Sequence, residues 1–320
     1  MSLPKVLQNL RLPVVGAPMF IVSGPELVIA QCKAGIVGSF PALNARPQHV
    51  LDEWLTRINI ELDQHKKDNP DAIVAPYAVN QICHGSNNRL MEDMATCVKH
   101  KVPIVITSLQ ANKDVYEAVH SYGGIIMHDV INIRHTEKAL SMGADGIIAV
   151  CTGAGGHAGT LSPFALIPEI RKIHDGLLLC SGSLATGGSV LGAQAIGADL
   201  GYIGTRFIAS KEANADEGYK QMLVDSAAKD VVYSSLFTGV SGNYLAKSIT
   251  AAGMDPNNLP EADKSAMNFG SGGNSDKKAW KDIWGAGQGT GSINDSPSIA
   301  DIIDRMESEY KAAKVRISSS

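Results

Sequence analysis

Apolar residues in this chain fall into short runs separated by amphipathic stretches. Runs of four to eight, rich in Val, Ile and Leu, read as buried strands. They predict strands over 12–19, 36–40, 72–80, 103–108, 124–130, 146–150, 177–182 and 200–205. Between them the apolar period lengthens to that of a helix face. Val50, Trp54, Leu55, Ile58 and Leu62 mark one such face in a helix over 47–66. Further helices are predicted over 24–34, 88–100, 114–122, 133–142, 163–174 and 188–196. Pro76 sits awkwardly in its strand and predicts a bulge there.

Strands that are apolar throughout and alternate with helices are parallel strands covered by helices. A doubly wound open sheet shares this alternation. Eight strands within roughly 205 residues, without a dinucleotide fingerprint, favour a closed α/β barrel of the TIM (β/α)8 type. The pattern then changes. Residues 239–295 are rich in Gly, Asn, Ser and Pro, with Gly270–Gly273 and a GAGQGTG run at 285–291. Trp280, Ile283 and Trp284 anchor this stretch against disorder. The predicted division is a barrel over 1–228, a Gly-rich helical cap or insertion over 229–295, and an amphipathic C-terminal helix over 296–320. Ser296 is the expected cap of that helix and Pro297 its first residue. Ile299, Ile302, Ile303, Met306 and Tyr310 form its apolar face.

Composition narrows the function classes. The 320 residues are 44% apolar and 19% charged, with a net charge of −4, so no basic surface for nucleic acid or an acidic membrane is expected. Aromatics at 5% give no stacking platform for single strands. The start, MSLPKVLQNLRLP, reads as lacking a signal core, and no run reaches a spanning length. Cys32, Cys83, Cys97, Cys151 and Cys180 are scattered and form no CxxC. They read as reduced, mostly structural thiols of a cytoplasmic protein.

Candidate chemistry lies at the strand ends, where such barrels carry their sites. The strongest stretch is GIIAVCTGAGGHAGTLSPF at 146–164. A strand empties into glycines, carries one imidazole, His157, and resumes as a helix with Pro163 at its first position. Other strand ends present Pro18-Met19, Asn80, His128-Asp129, SGSLATGG at 181–188 and GTR at 204–206. The last two combine glycine and hydroxyl residues just before helix starts. There, N–H groups and the helix dipole favour a phosphate, and a phosphorylated cofactor is the expected occupant. No metal-binding set is visible. The GxG run at 285–290 has no preceding strand and is not a dinucleotide fingerprint.

APM at 17–19, AVN ending at Asn80, GAGGHAG, SGSLATGG and YIGTRF at 202–207 resemble the nitronate monooxygenase family, formerly 2-nitropropane dioxygenases. GVSGNYL, NFGSGG and WKDIWGAGQG extend the resemblance into the C-terminal third. The resemblance implies an FMN-dependent TIM barrel that oxidises alkyl nitronates, or nitroalkanes, with dioxygen to a carbonyl compound and nitrite. It implies His157 as the active-site imidazole beside the flavin and Asn80 as a contact to its ring. Ala17, Pro18 and Met19 would pack against the ring edge. Gly155, Gly156, Ser181, Gly182, Ser183, Tyr202, Ile203, Gly204 and Thr205 would hold the cofactor. The partners implied are a small nitronate and dioxygen, in a monomer or homodimer. Val150 and Asp129 stand where members carry Gln or another polar group, and Lys. Two alternatives share the barrel: an FMN-dependent NAD(P)H reductase of enoyl-ACP or quinone type, and a flavin-binding protein without turnover.

Overall fold

The computed structural model describes residues 3–260 and 283–319. Trp280, the glycines at 270–273 and most of the NFGSGG and WKDIW motifs lie outside the described residues.

Eight parallel strands form the barrel. In chain order they are β1 (Val14–Gly16), β2 (Gly38–Pro41), β3 (Tyr77–Cys83), β4 (Ile104–Leu109), β5 (Ile125–Val130), β6 (Gly146–Val150), β8 (Leu177–Ser181) and β9 (Leu200–Ile203). β7 (Gly156–His157) branches off outside the barrel. Neighbours run β1-β9-β8-β6-β5-β4-β3-β2, and a parallel bridge between Val15 and Val37 joins the two ends. The closed barrel expected from the alternation is therefore the fold.

Alternation along each strand sorts side chains into two layers. Val15, Val37, Ala78, Ile104, Ile106, Met127, Ile148, Leu179, Leu200 and Tyr202 point inward and share one cluster with Leu7 of the N-terminal turn Lys5–Leu7. Outward residues meet the helices. Val79, Val105 and Ile126 pack on α2 (Val50–Asp68), α3 (Leu90–Lys99) and α4 (Lys113–His120), with α1 (Pro25–Lys33) alongside. Ile147, Ala149, Leu178 and Cys180 pack on α6 (Pro163–Arg171) and α7 (Gly187–Ala195), with α5 (Ile133–Ser141) alongside. All five cysteines are buried thiols, and Cys151 and Cys180 belong to this outer layer.

Some boundaries differ from expectation. Pro76 makes no bulge: it stands just before β3, where its missing N–H costs no ladder bond. α8 (Thr205–Ile208) and α9 (Glu217–Val224) follow β9. Residues 231–245 are not helical. They form a hairpin of β10 (Val231–Ser234) and β11 (Gly242–Leu245), and β11 pairs antiparallel with β7. α10 (Ala246–Ala251) follows. The terminal helix α11 (Ile299–Ser318) begins later than predicted. Ser298, not Ser296, caps it by accepting from the Asp301 N–H. Ile299, Ile302, Ile303 and Met306 are buried against Phe207 and Leu223. Arg11 donates to Glu307 at 2.9 Å and ties α11 to the chain just before β1.

Candidate active site

At the C-terminal mouth of the barrel the inward positions turn polar. Two residues beyond Ala78, Ile106, Met127 and Leu179 stand Asn80, Ser108, Asp129 and Ser181. Asn80, 4% exposed, donates from Nδ2 to the Ile106 carbonyl at 3.3 Å and to Ser108 Oγ at 2.8 Å. The Ser108 hydroxyl and the Leu109 backbone hydrogen-bond the Asp129 carboxyl, but burial outweighs them and pushes Asp129 up to about 6. Asp129 also contributes to the rise of the Tyr202 phenol, which burial dominates. His128, its sequence neighbour, faces the other way. It is 2% exposed in the helix layer, 2.8 Å from Thr107 Oγ1 and edge-on to Tyr116, and so takes no part in the mouth.

Beside this polar ring lies a recess built from strand-end loops. Gly153, Ala154 and Gly155 after β6 form one wall. Ser181 to Leu184 form the second, and Tyr202, Gly204 and Thr205 the third. Seven of the residues assigned to cofactor binding from the sequence thus come together: Gly155, Ser181, Gly182, Ser183, Tyr202, Gly204 and Thr205. Gly182 has φ +125°, and a Cβ there would lie 2.6 Å from the Thr152 carbonyl. The turn out of β8 therefore needs glycine for backbone reasons alone. Ile203 is placed differently. Its side chain is buried among core residues outside the barrel, and its carbonyl accepts from the Ala17 N–H at 2.8 Å. Ala17, Pro18 and Met19 follow β1 at the same mouth, partly buried. Met19 reaches toward Gly204, with Sδ 3.4 Å from a Cβ built there. Gly156 stands outside the recess, paired with Asn243 in the small sheet.

Four features of the site escaped sequence reasoning. The GAGQG run at 285–289, rejected as a dinucleotide fingerprint, supplies Gly287 and Gly289 to the recess. It is held there by Gly287 N–H to Thr205 Oγ1 at 2.9 Å and Gln288 N–H to the Gly153 carbonyl at 2.9 Å. Asn243, 4% exposed, donates from Nδ2 to the Ala154 carbonyl at 2.7 Å and braces the first wall from behind. The N-terminus of α7, expected to face a phosphate, already has an anion. Glu309 of α11 accepts from the Gly187 N–H at 2.8 Å, so an occupant of the recess must be held by the strand-end loops instead. Thr238 is the fourth, and it touches the imidazole.

His157 stands in β7, two residues beyond Gly155 of the first wall. Gly242 pairs with its backbone, and its Nε2 is 2.9 Å from Thr238 Oγ1. Burial, which disfavours the charged ring, pushes its pKa down to about 4, so the imidazole is neutral at pH 7. Among the described residues no group of three or more His, Cys, Asp or Glu side chains could hold a metal ion. No described helix is long and apolar enough to cross a membrane.

Known proteins resemble this chain in sequence and in fold. The sequence profile of the family described as nitronate monooxygenase matches residues 3–309. A nitronate monooxygenase of Paraburkholderia phytofirmans is 27% identical over 280 residues, 76% of each chain. A dehydrogenase of a hydroxy-methyl-oxo-octahydroindene carboxyl-CoA from Rhodococcus jostii is 23% identical over 73% of this chain and 62% of its own. Among solved structures, a nitroalkane oxidase of Streptomyces ansochromogenes superposes with a TM-score of 0.80 at 19% identity, over 98% of this chain and all of the other. FabK of Thermotoga maritima superposes with a TM-score of 0.77 at 20% identity, over 98% and 97%. At those identities the structural likeness speaks for the fold, while the profile spans nearly the whole chain. The chain belongs to the nitronate monooxygenase family, a family of oxidoreductases.

Proposed function

We propose that this protein binds FMN and oxidises alkyl nitronates with dioxygen to a carbonyl compound and nitrite. The observation that carries the reading is the recess of three strand-end loops, closed by the GAGQG segment, beside a polar barrel mouth, with His157 two residues along the chain from Gly155 of its first wall. The fit to a flavin phosphate rests on what lines the recess. Six of its twelve lining residues are glycine and three carry hydroxyls on Ser or Thr, so main-chain N–H groups can approach an anion closely.

In this reading Gly155, Ser181, Gly182, Ser183, Gly204 and Thr205 hold the phosphate end. Ala17 to Met19, Asn80 and Tyr202 border the ring. A bound FMN would supply the electron acceptor for the substrate and the route to dioxygen. The protein's own contribution is positional and electrostatic. Asn80 and Ser108 hold Asp129 at the mouth, and burial keeps His157 neutral until an anion arrives. An imidazole near pKa 4 is a weak base toward a nitroalkane C–H at neutral pH. The nitronate, already deprotonated, is therefore the preferred substrate. Its charge favours the imidazolium, which donates a hydrogen bond to it; neutral nitroalkanes react more slowly.

The test has two arms. Purified protein loaded with FMN is mixed with propyl nitronate in air, and oxygen uptake and nitrite are followed. Separately, NADH or NADPH is added without oxygen and flavin absorbance is watched. Oxygen uptake with nitrite release supports the proposal. Rapid bleaching by a nicotinamide without nitronate turnover overturns it in favour of a reductase. Protein that stays colourless when FMN is supplied removes the flavin altogether.

A further inference from the structure

We propose that Thr238 is a positioning residue that holds His157 as its Nε2–H tautomer, so that Nδ1 is the nitrogen that gains and loses the proton. The assignment follows from counting protons. Thr238 Oγ1 is 2.9 Å from the Val240 carbonyl, 2.9 Å from His157 Nε2, and accepts from the Val240 N–H at 3.3 Å. A hydroxyl has one proton to donate. A carbonyl has none, so two oxygens at 2.9 Å can only be joined by the threonine's own proton. The contact to His157 must then be filled by a proton on Nε2. In a neutral imidazole with Nε2 protonated, the lone pair is on Nδ1.

The geometry around Thr238 keeps this arrangement in place. Thr238, Gly239 and Val240 make the turn between β10 and β11, where Gly239 has φ +75°. The Val240 N–H and carbonyl both return to the Thr238 side chain, so the side chain cannot rotate about Cα–Cβ without losing both, and its proton cannot turn to His157 without giving up the Val240 carbonyl. The next strand carries Gly242, which pairs with His157 itself. Backbone pairing and side-chain contact therefore both fix the ring from the same hairpin. This gives residues 231–245 a task in the site: they set which imidazole nitrogen is basic. The meaning for turnover rests on the function proposed above; the tautomer does not.

The experiment is a long-range proton–nitrogen correlation spectrum of the FMN-loaded protein labelled with 15N-histidine, at pH 7. His157 signals are assigned by their loss in His157→Gln. The expected wild-type pattern has a protonated Nε2 and an unprotonated, strongly downfield Nδ1. Thr238→Val, which keeps shape and removes the acceptor, should populate the opposite tautomer, and Thr238→Ser should restore the wild-type pattern. Wild type with Nδ1 protonated, or a Thr238→Val spectrum identical to wild type, overturns the proposal. If Thr238→Val fails to fold, the wild-type spectrum alone decides. In kinetics, Thr238→Val should slow neutral nitroalkane turnover by about 10-fold. A protein inert toward both substrates would defeat the functional reading and leave the tautomer measurement standing.

Discussion

Gly155→Ala is the sharpest test of the recess, because the structure gives both its cost and its target. A methyl built at residue 155 lies 2.8 Å from the Gly287 nitrogen, 2.9 Å from Thr205 Oγ1 and 3.0 Å from the Ala286 carbonyl carbon, where ordinary contact begins at 3.4 Å. Two of the three atoms are backbone, so turning the Thr205 side chain alone does not clear the space. The methyl also enters at the hydrogen bond from Gly287 N–H to Thr205 Oγ1. Overpacking of this kind costs about 1–3 kcal/mol, and losing the bond adds about 1 kcal/mol. We expect a loss of ~2–4 kcal/mol in urea unfolding and a wall displaced by roughly half an ångström. A cofactor held by that wall should lose at least ~10-fold in affinity, the equivalent of 1.4 kcal/mol, read by quenching of FMN fluorescence on titration. Gly156→Ala is the control. Its methyl meets nothing within 4 Å, but φ there is +65°, so strain of about 1 kcal/mol is expected with little effect on FMN. Gly155→Ala destabilised as stated but with wild-type FMN affinity would refute the cradle. Unchanged stability would refute the packed wall itself.

Three further outcomes are expected. Asp129 is pushed up to about 6 in the folded protein from an ordinary 3.8, so its stabilising contribution is complete below about 3.8 and is lost as pH rises through about 6. Asp129→Asn should therefore gain thermal stability relative to wild type at pH 8 but not at pH 4, and equal Tm differences at both would contradict the assignment. Asn243→Ala removes the donor to the buried Ala154 carbonyl and should cost ~1–3 kcal/mol in denaturant unfolding, with weaker FMN binding; a neutral result would mean that the first wall needs no brace. Asp93, fully buried, pairs with the buried Arg89 guanidinium at 2.8 Å, so Asp93→Ala should cost ~3–5 kcal/mol without altering FMN affinity, and a milder loss would show that Ala45 and other carbonyls suffice for Arg89.

The barrel was legible because each strand is buried on both faces and therefore apolar along its length. The run Gly146–Val150 was read to the residue, since turn signals stand on both sides of it. Boundaries slipped where the local signal is shared between candidates. Ser296 and Ser298 both precede apolar residues, and only packing of Ile299 against the core selects the later one. The recess was legible for the same reason as the barrel: strand ends follow from strands, and seven assigned residues line one cavity. The hairpin at 231–245 was not. Val231-Val232-Tyr233 is a short, half-exposed run beside Gly, Asn and Ser, and its partner strand β7 is only two residues long. Nothing local announces that Thr238 will meet His157, 81 residues away, or that Glu309 will fill the N-terminus of α7. Those contacts depend on how the chain returns.

That return answers a difficulty built into glycine loops. A loop stripped of side chains lets a ligand approach, but it has nothing of its own to hold its shape. Here the missing support comes from the C-terminal third. Gly242 and Asn243 pair with His157 and Gly156. The Asn243 side chain takes the Ala154 carbonyl, and the Asn243 carbonyl takes the Ala286 N–H. The chain then continues into Gly287, bonded to Thr205, and Gln288, bonded to Gly153. Tyr219 adds a hydrogen bond to the Gly285 carbonyl and stacks on Trp284 at 5.0 Å. The imidazole and the recess are thus two ends of one hydrogen-bonded path through residues that the barrel strands do not contain. Three of its links, the strand pairing, Ala286 N–H to the Asn243 carbonyl and Gln288 N–H to the Gly153 carbonyl, are main-chain bonds, which resist displacement better than side-chain rotamers do. Changes at 238–243 or 285–288 should accordingly affect both the imidazole and the recess, even where the substituted residue touches neither cofactor nor substrate.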